Sequence, residues 1–127
     1  MIDLLVVSAF GGIGCALRAM VRDAMRQRGH APAATICAIN LLGSAVMGMV
    51  MAASRMHGAA PTHAVTAAAG LLAGWTTFSA FSMDVVQLWW RGDRGRALLI
   101  WVATLVGSPA LAWVGACTVR AVLGGEP

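Results

Sequence analysis

The sequence predicts an all-α membrane protein with four transmembrane helices, the third of them broken near Gly74–Ser79. Three observations carry that prediction. Of 127 residues, 59% are hydrophobic and only 11% charged, with a mean hydropathy of +0.77; a soluble domain usually carries about twice that charge fraction. The apolar residues gather into runs approaching the roughly 20 needed to cross a bilayer. Within the third run lies Gly74-Trp75-Thr76-Thr77-Phe78-Ser79-Ala80-Phe81-Ser82, rich in Gly, Thr and Ser where a plain span would carry Leu, Val and Ile. Lipid offers backbone groups no hydrogen-bond partner, so irregular backbone at that depth must be buried in protein or line a wet cavity. That stretch therefore reads as a functional site. Four spans use nearly the whole chain, 1–127, which reads as one domain with no room for a soluble one.

The first span covers about 2–20. It opens Met1-Ile2-Asp3, without the basic segment of a signal peptide, and its apolar run ends at Arg18 rather than at a small-residue cleavage site. Gly11, Gly12, Gly14 and Ala16 make a smooth surface that lets another backbone come close. Arg18 closes the apolar run, either snorkelling to the interface or making a contact inside the protein. The loop that follows carries Arg22, Asp23, Arg26 and Arg28 and has room for a short interfacial turn of helix.

The second span covers about 33–53. Cys37, Asn40, Ser44 and Gly48 recur at helical spacing and share one face. Asn40 is the costly member, an amide near the middle of the membrane. It serves either a helix–helix hydrogen bond or a pore wall. A loop with His57, Gly58 and Pro61 leads to the third span, about 63–90, longer than one straight crossing needs. Adjacent Thr76 and Thr77 are poor helix formers whose hydroxyls can bond local backbone. Beyond them Phe78 and Phe81 stand three apart on one face. Asp84 extends that face one turn towards the interface, as a functional carboxylate or a solvated one. Trp89-Trp90-Arg91 marks the membrane boundary. The fourth span covers about 97–119, with Gly107-Ser108-Pro109 in its middle and a kink expected at the proline.

The net charge of +4 comes from nine arginines and no lysine, clustered between the apolar runs where they meet lipid head groups and set topology. No separate basic arm exists for nucleic acid. Cys15, Cys37 and Cys117 are an odd, scattered set without metal-ligand or disulfide spacing, and read as buried thiols. His30, His57 and His63 sit in or beside loops and form no cluster. No Ser/His or paired-acid arrangement lies at depth, so an enzyme is not expected.

Taken together, the run from Gly11 to Arg18, the run from Thr35 to Ser44 and the run from Gly74 to Ser82 resemble, in order and over almost the full length, the fluoride channel family (Fluc, also called CrcB). The resemblance implies a multi-pass subunit of the bacterial inner membrane. It pairs antiparallel with a second copy to build two narrow, passive, fluoride-selective pores that lower intracellular fluoride. It places Asn40, Ser44, Thr77, Phe78, Ser79, Phe81 and Ser82 along the pore. Backbone carbonyls of Gly74, Thr76 and Thr77 hold a central structural sodium ion, Arg18 matches the motif arginine, and Asp84 stands near a vestibule. No organic cofactor is implied.

Three departures accompany it. Ala73 stands where the family often has a second glycine. The chain has no tyrosine, so a phenolic hydroxyl beside the pore is absent or replaced by Thr104 or Ser108. Arg18, Arg22, Arg26, Arg28, Arg91, Arg94 and Arg96 fall on one side and only Arg55 and Arg120 on the other, which predicts a single orientation with both termini outside. Either that rule is overridden in an antiparallel homodimer, or the partner is an oppositely inserted homologue. The rival reading is a small four-helix proton-coupled exporter of the multidrug type. It would have to use Asp84, because the first span offers only Asp3 at its start.

Overall fold

Each apolar run becomes helical chiefly because lipid forces its backbone groups to pair internally, and the Ala, Leu and Met that fill much of it are good helix formers. The structure, a computed structural model, describes residues 1–56 and 63–124. The expected loop residues His57, Gly58 and Pro61 lie outside them. Among the described residues the elements are helices α1 (Ile2–Gln27), α2 (Pro32–Met56), α3 (His63–Trp75), α4 (Phe78–Trp90) and α5 (Arg94–Leu123), with no strand. Counting α3 and α4 as one interrupted crossing, four segments are long and apolar enough to span a membrane.

The spans match the expected ones, with ends that differ for identifiable reasons. Residues 21–27, expected in a loop, continue α1, since nothing from Val21 to Gln27 breaks a helix. The turn comes only at Gly29, whose φ of 82° suits glycine alone. Pro32 starts α2, where its missing N–H is harmless. Asp93 caps α5 by accepting from the Arg96 N–H at 3.4 Å, so that helix begins three residues early. The third segment breaks at Thr76 and Thr77, a narrower interruption than Gly74–Ser79.

The helices pair as α1 with α3 and α2 with α5, while α4 leans on α5 and α2 and does not pack along α1. The two main pairings depend on small residues. A Cβ at Gly74 would land on the Gly11 carbonyl and one at Gly14 on the Leu71 carbonyl. Gly48 and Gly115 likewise admit the Ala112 and Ala45 carbonyls between α2 and α5. Backbones that approach this closely associate through van der Waals packing, which in lipid replaces the hydrophobic drive. The buried core is correspondingly small: Ile36, Ile39 and Phe81, with Val21, Trp75 and Ile100 packed around them.

Candidate functional site

The site is built at the break. Thr76 ends α3 by turning both its N–H (2.9 Å) and its hydroxyl (3.1 Å) onto the Leu72 carbonyl. Thr77 then leaves helical geometry at φ −155°, ψ 126° and caps α4, its Oγ1 accepting from the Ala80 N–H at 3.4 Å. The backbone groups freed by this excursion find a partner on α2. Asn40 Nδ2 donates to the Thr77 carbonyl at 3.0 Å, and the Thr77 N–H donates to Asn40 Oδ1 at 2.9 Å. Asn40 thus makes the helix–helix bond that the sequence left as one of two readings, and keeps one Nδ2 hydrogen for another acceptor.

Arg18 is also resolved: its Nε donates to the Gly74 carbonyl at 3.2 Å, and Nη2 contacts Cys15 Sγ at 2.8 Å. The guanidinium therefore ties α1 to the broken end of α3. These bonds bear on the three carbonyls expected to hold a cation. Gly74 already accepts from Arg18 and Thr77 from Asn40, whereas no donor among the described residues reaches the Thr76 carbonyl. The Ala73 carbonyl is freed too, because the Thr77 N–H that would close its helical turn goes to Asn40.

Beside the break an open cavity of about 380 Å³ is lined by Asn40, Ser44, Ala73, Thr76, Thr77 and Phe78, and by Thr104, Leu105, Ser108 and Pro109 of α5. A smaller one of about 170 Å³ adjoins it between Gly43, Ser44, Thr76 and Ser108. Four of the residues expected along a pore therefore meet here: Asn40, Ser44, Thr77 and Phe78. The other three lie off this cavity. Ser79 contacts Thr77 Oγ1 at 3.2 Å, and Ser82 donates back to the Ser79 carbonyl at 3.0 Å. Phe81 is only 2% exposed, packed in the core, while Phe78 is 70% exposed. Their rings are tilted by 58° with centroids 5.6 Å apart.

The α5 wall brings both hydroxyls considered in place of a tyrosine to the cavity. Thr104 and Ser108, one helical turn apart, both border the cavity. Thr104 Oγ1 is spent on Cys37 Sγ at 3.3 Å, but Ser108 Oγ is buried with no partner among the described residues. Pro109 adds to this wall by withholding the N–H that the Leu105 carbonyl would accept.

Asp84 is buried at the arginine-rich end, where Arg22 Nη2 bonds its Oδ1 at 3.3 Å. Its Oδ2 is buried with no partner among the described residues. It borders a third cavity of about 390 Å³, shared with Gln87, Arg91, Asp93, Arg96 and the start of α2 at Ala31–Ala33. Sequence reasoning placed Arg22 in a loop. The signal was its spacing of four from Arg18, which puts both on one face once α1 is seen to continue.

The sequence pattern of the family described as "CrcB-like protein, Camphor Resistance (CrcB)" matches residues 5–116. The chain is 35% identical over 124 residues to a "Fluoride-specific ion channel FluC" of Mesorhizobium japonicum, covering 96% of this chain and 99% of that one. It is 36% identical over 128 residues to the protein of the same name from Rhizobium etli, covering 97% and 100%. Similarity to a third, from Chelativorans sp., reaches 46% over 56 residues, less than half of either chain. With a family pattern that covers nearly all of its length and relatives aligned from end to end, the chain belongs to the CrcB-like family.

Proposed function

We propose that the protein is a fluoride-selective channel that lets fluoride leave the cell passively, and that it works as one half of an antiparallel dimer with two pores. The four spans and the bacterial relatives fit a multi-pass protein of the inner membrane. The observation that carries the reading is the cavity where the Asn40 amide, the Thr77 break, the unpartnered Ser108 hydroxyl and the exposed Phe78 ring converge. Fluoride is small and strongly hydrated, so a pore has to replace its water with fixed donors. The remaining Asn40 N–H and the Ser108 hydroxyl are such donors. An aromatic ring carries a positive edge, so Phe78 and Phe81 can also face an anion edge-on. The exposure of Phe78 and the openness of its cavity support a second subunit closing the route.

A structural sodium ion belongs to the same reading, in a changed setting. Carbonyls released by a helix break suit a cation. Among the described residues no donor reaches the Thr76 and Ala73 carbonyls, whereas Arg18 sets a positive charge against the Gly74 carbonyl. A bound sodium would supply positive charge at the dimer centre and favour anions nearby. Thr76 is retained as a ligand, and the Gly74 and Thr77 carbonyls act in holding the break together.

Two partners fit this dimer: a second copy inserted the opposite way, or an oppositely inserted homologue. Arg22, Arg26 and Arg28 in the last part of α1 and beyond it, with Arg91, Arg94 and Arg96 around the α4–α5 turn, gather towards one end of the bundle, while Arg18 reaches the break, and that bias favours one orientation per chain. The test is fluoride efflux from liposomes holding the purified protein, read by electrode with chloride as control. Passive fluoride-selective flux without a proton gradient supports the channel. Flux only after adding a sister subunit supports the heteromer, and flux of both ions alike overturns the selectivity.

A further inference from the structure

We infer that Arg22 is a positioning residue for conduction: its guanidinium neutralises the buried Asp84 carboxylate, which otherwise stands as a negative charge on the anion's route along α4. This rests on the channel reading above. Phe78, Phe81 and Asp84 follow one another at three-residue spacing along α4, Phe78 exposed and the other two buried. Phe78 borders the cavity at the break, Asp84 borders the cavity at the arginine-rich end, and Phe81 is buried between them. An anion that passes from one cavity to the other along α4 must go by the carboxylate.

The carboxylate is well placed to repel it. The Asp84 side chain is 6% exposed, and its unpartnered Oδ2 is shielded from water, so its field is weakly screened. Arg22 is the only cation bonded to it among the described residues. Arg91 and Arg96 border the same cavity, but Arg96 is paired with Asp93 at 3.5 Å. α1 lies along α3 and does not run along α4, and beside Val21, which packs on the Ile36–Ile39–Phe81 cluster, Arg22 reaches across to Asp84.

The test is passive fluoride efflux from liposomes for wild type, R22Q, R22K, D84N and R22Q/D84N, each first checked for a single assembled species by gel filtration. R22Q is expected to slow efflux roughly tenfold, the effect of one uncompensated charge acting over about 10 Å at an effective dielectric of about 20. R22K, which keeps the charge, is expected to hold most of the wild-type rate. R22Q/D84N, which removes both charges, is expected to recover it. An R22Q channel as fast as wild type overturns the inference, as does a double variant that assembles yet stays as slow as R22Q. If R22Q alone fails to assemble, the double variant is compared with D84N. Equal rates support charge compensation, and a tenfold deficit in the double overturns it. Wild-type protein that passes no fluoride, either alone or with an oppositely inserted homologue, refutes the channel reading itself, a result distinct from any difference among the variants.

Discussion

Asn40 clamps Thr77 through both faces of its amide, accepting from the Thr77 N–H at 2.9 Å and donating to the Thr77 carbonyl at 3.0 Å. A side chain that satisfies both backbone groups of one residue does the work of a neighbouring strand, at a depth where water cannot. Asn40→Asp keeps the acceptor but sets a carboxylate oxygen against the Thr77 carbonyl. The expected loss is about 1–3 kcal/mol for the unmade bond and the facing oxygens, with a sharp fall in fluoride flux. A denaturation midpoint in detergent and an efflux rate, measured on the same preparation, check both. Wild-type values in each would remove the clamp from the mechanism.

Phe78 and Phe81, paired in sequence as two pore rings, occupy opposite environments. Phe81→Ala empties a site at the centre of the core beside Ile36 and Ile39, where such a truncation costs about 3–5 kcal/mol. Phe78 is largely exposed in the single chain, so Phe78→Ala is expected to change subunit stability by no more than about 0.5 kcal/mol. Both substitutions are expected to reduce flux. Thermal unfolding of the two variants checks the split, and equal destabilisation would contradict the burial difference.

Gly74→Ala tests how closely α1 and α3 must approach. The added Cβ would fall on the Gly11 carbonyl, so the helices must part. Overpacking of this kind costs about 1–3 kcal/mol. Parting them also draws Arg18 away from the Gly74 carbonyl, so fluoride flux is expected to fall along with stability. Gly12→Ala is the control, since a Cβ there meets nothing within 4 Å. A lower unfolding temperature for Gly74→Ala than for Gly12→Ala is the expected result.

How far the sequence could be read follows from which interactions are local. Spans are set by composition over some 20 residues, and the break by two adjacent threonines, so both were legible and the break fell at Thr76–Thr77. Helix ends were less so. The arginines after Met20 looked like a loop because charge was read as an exit from the membrane, whereas helix propensity carries α1 on to Gln27. The pairing of α1 with α3 and of α2 with α5 rests on glycines that meet carbonyls far away in sequence, and spacing alone does not name the partner. The two readings of Asn40, of Arg18 and of Asp84 stayed open for the same reason. Each side chain meets a partner 37, 56 or 62 residues away in sequence: Asn40 meets Thr77, Arg18 meets Gly74 and Asp84 meets Arg22.

Asp84→Asn separates the channel from a proton-coupled exporter. An exporter's carboxylate must be free to take up and release a proton as it faces each side of the membrane. Asp84 instead holds a guanidinium at 3.3 Å with its side chain 6% exposed, and a buried charge with such a partner resists separation from it. A channel needs no proton at this position. Removing the carboxylate leaves Arg22 half-exposed near the interface, where its long side chain can reach water. The Asp84→Asn protein is therefore expected to keep passive fluoride efflux in liposomes without a pH gradient. Transport that requires a proton gradient in the wild type and disappears in Asp84→Asn would establish the exporter and displace the channel.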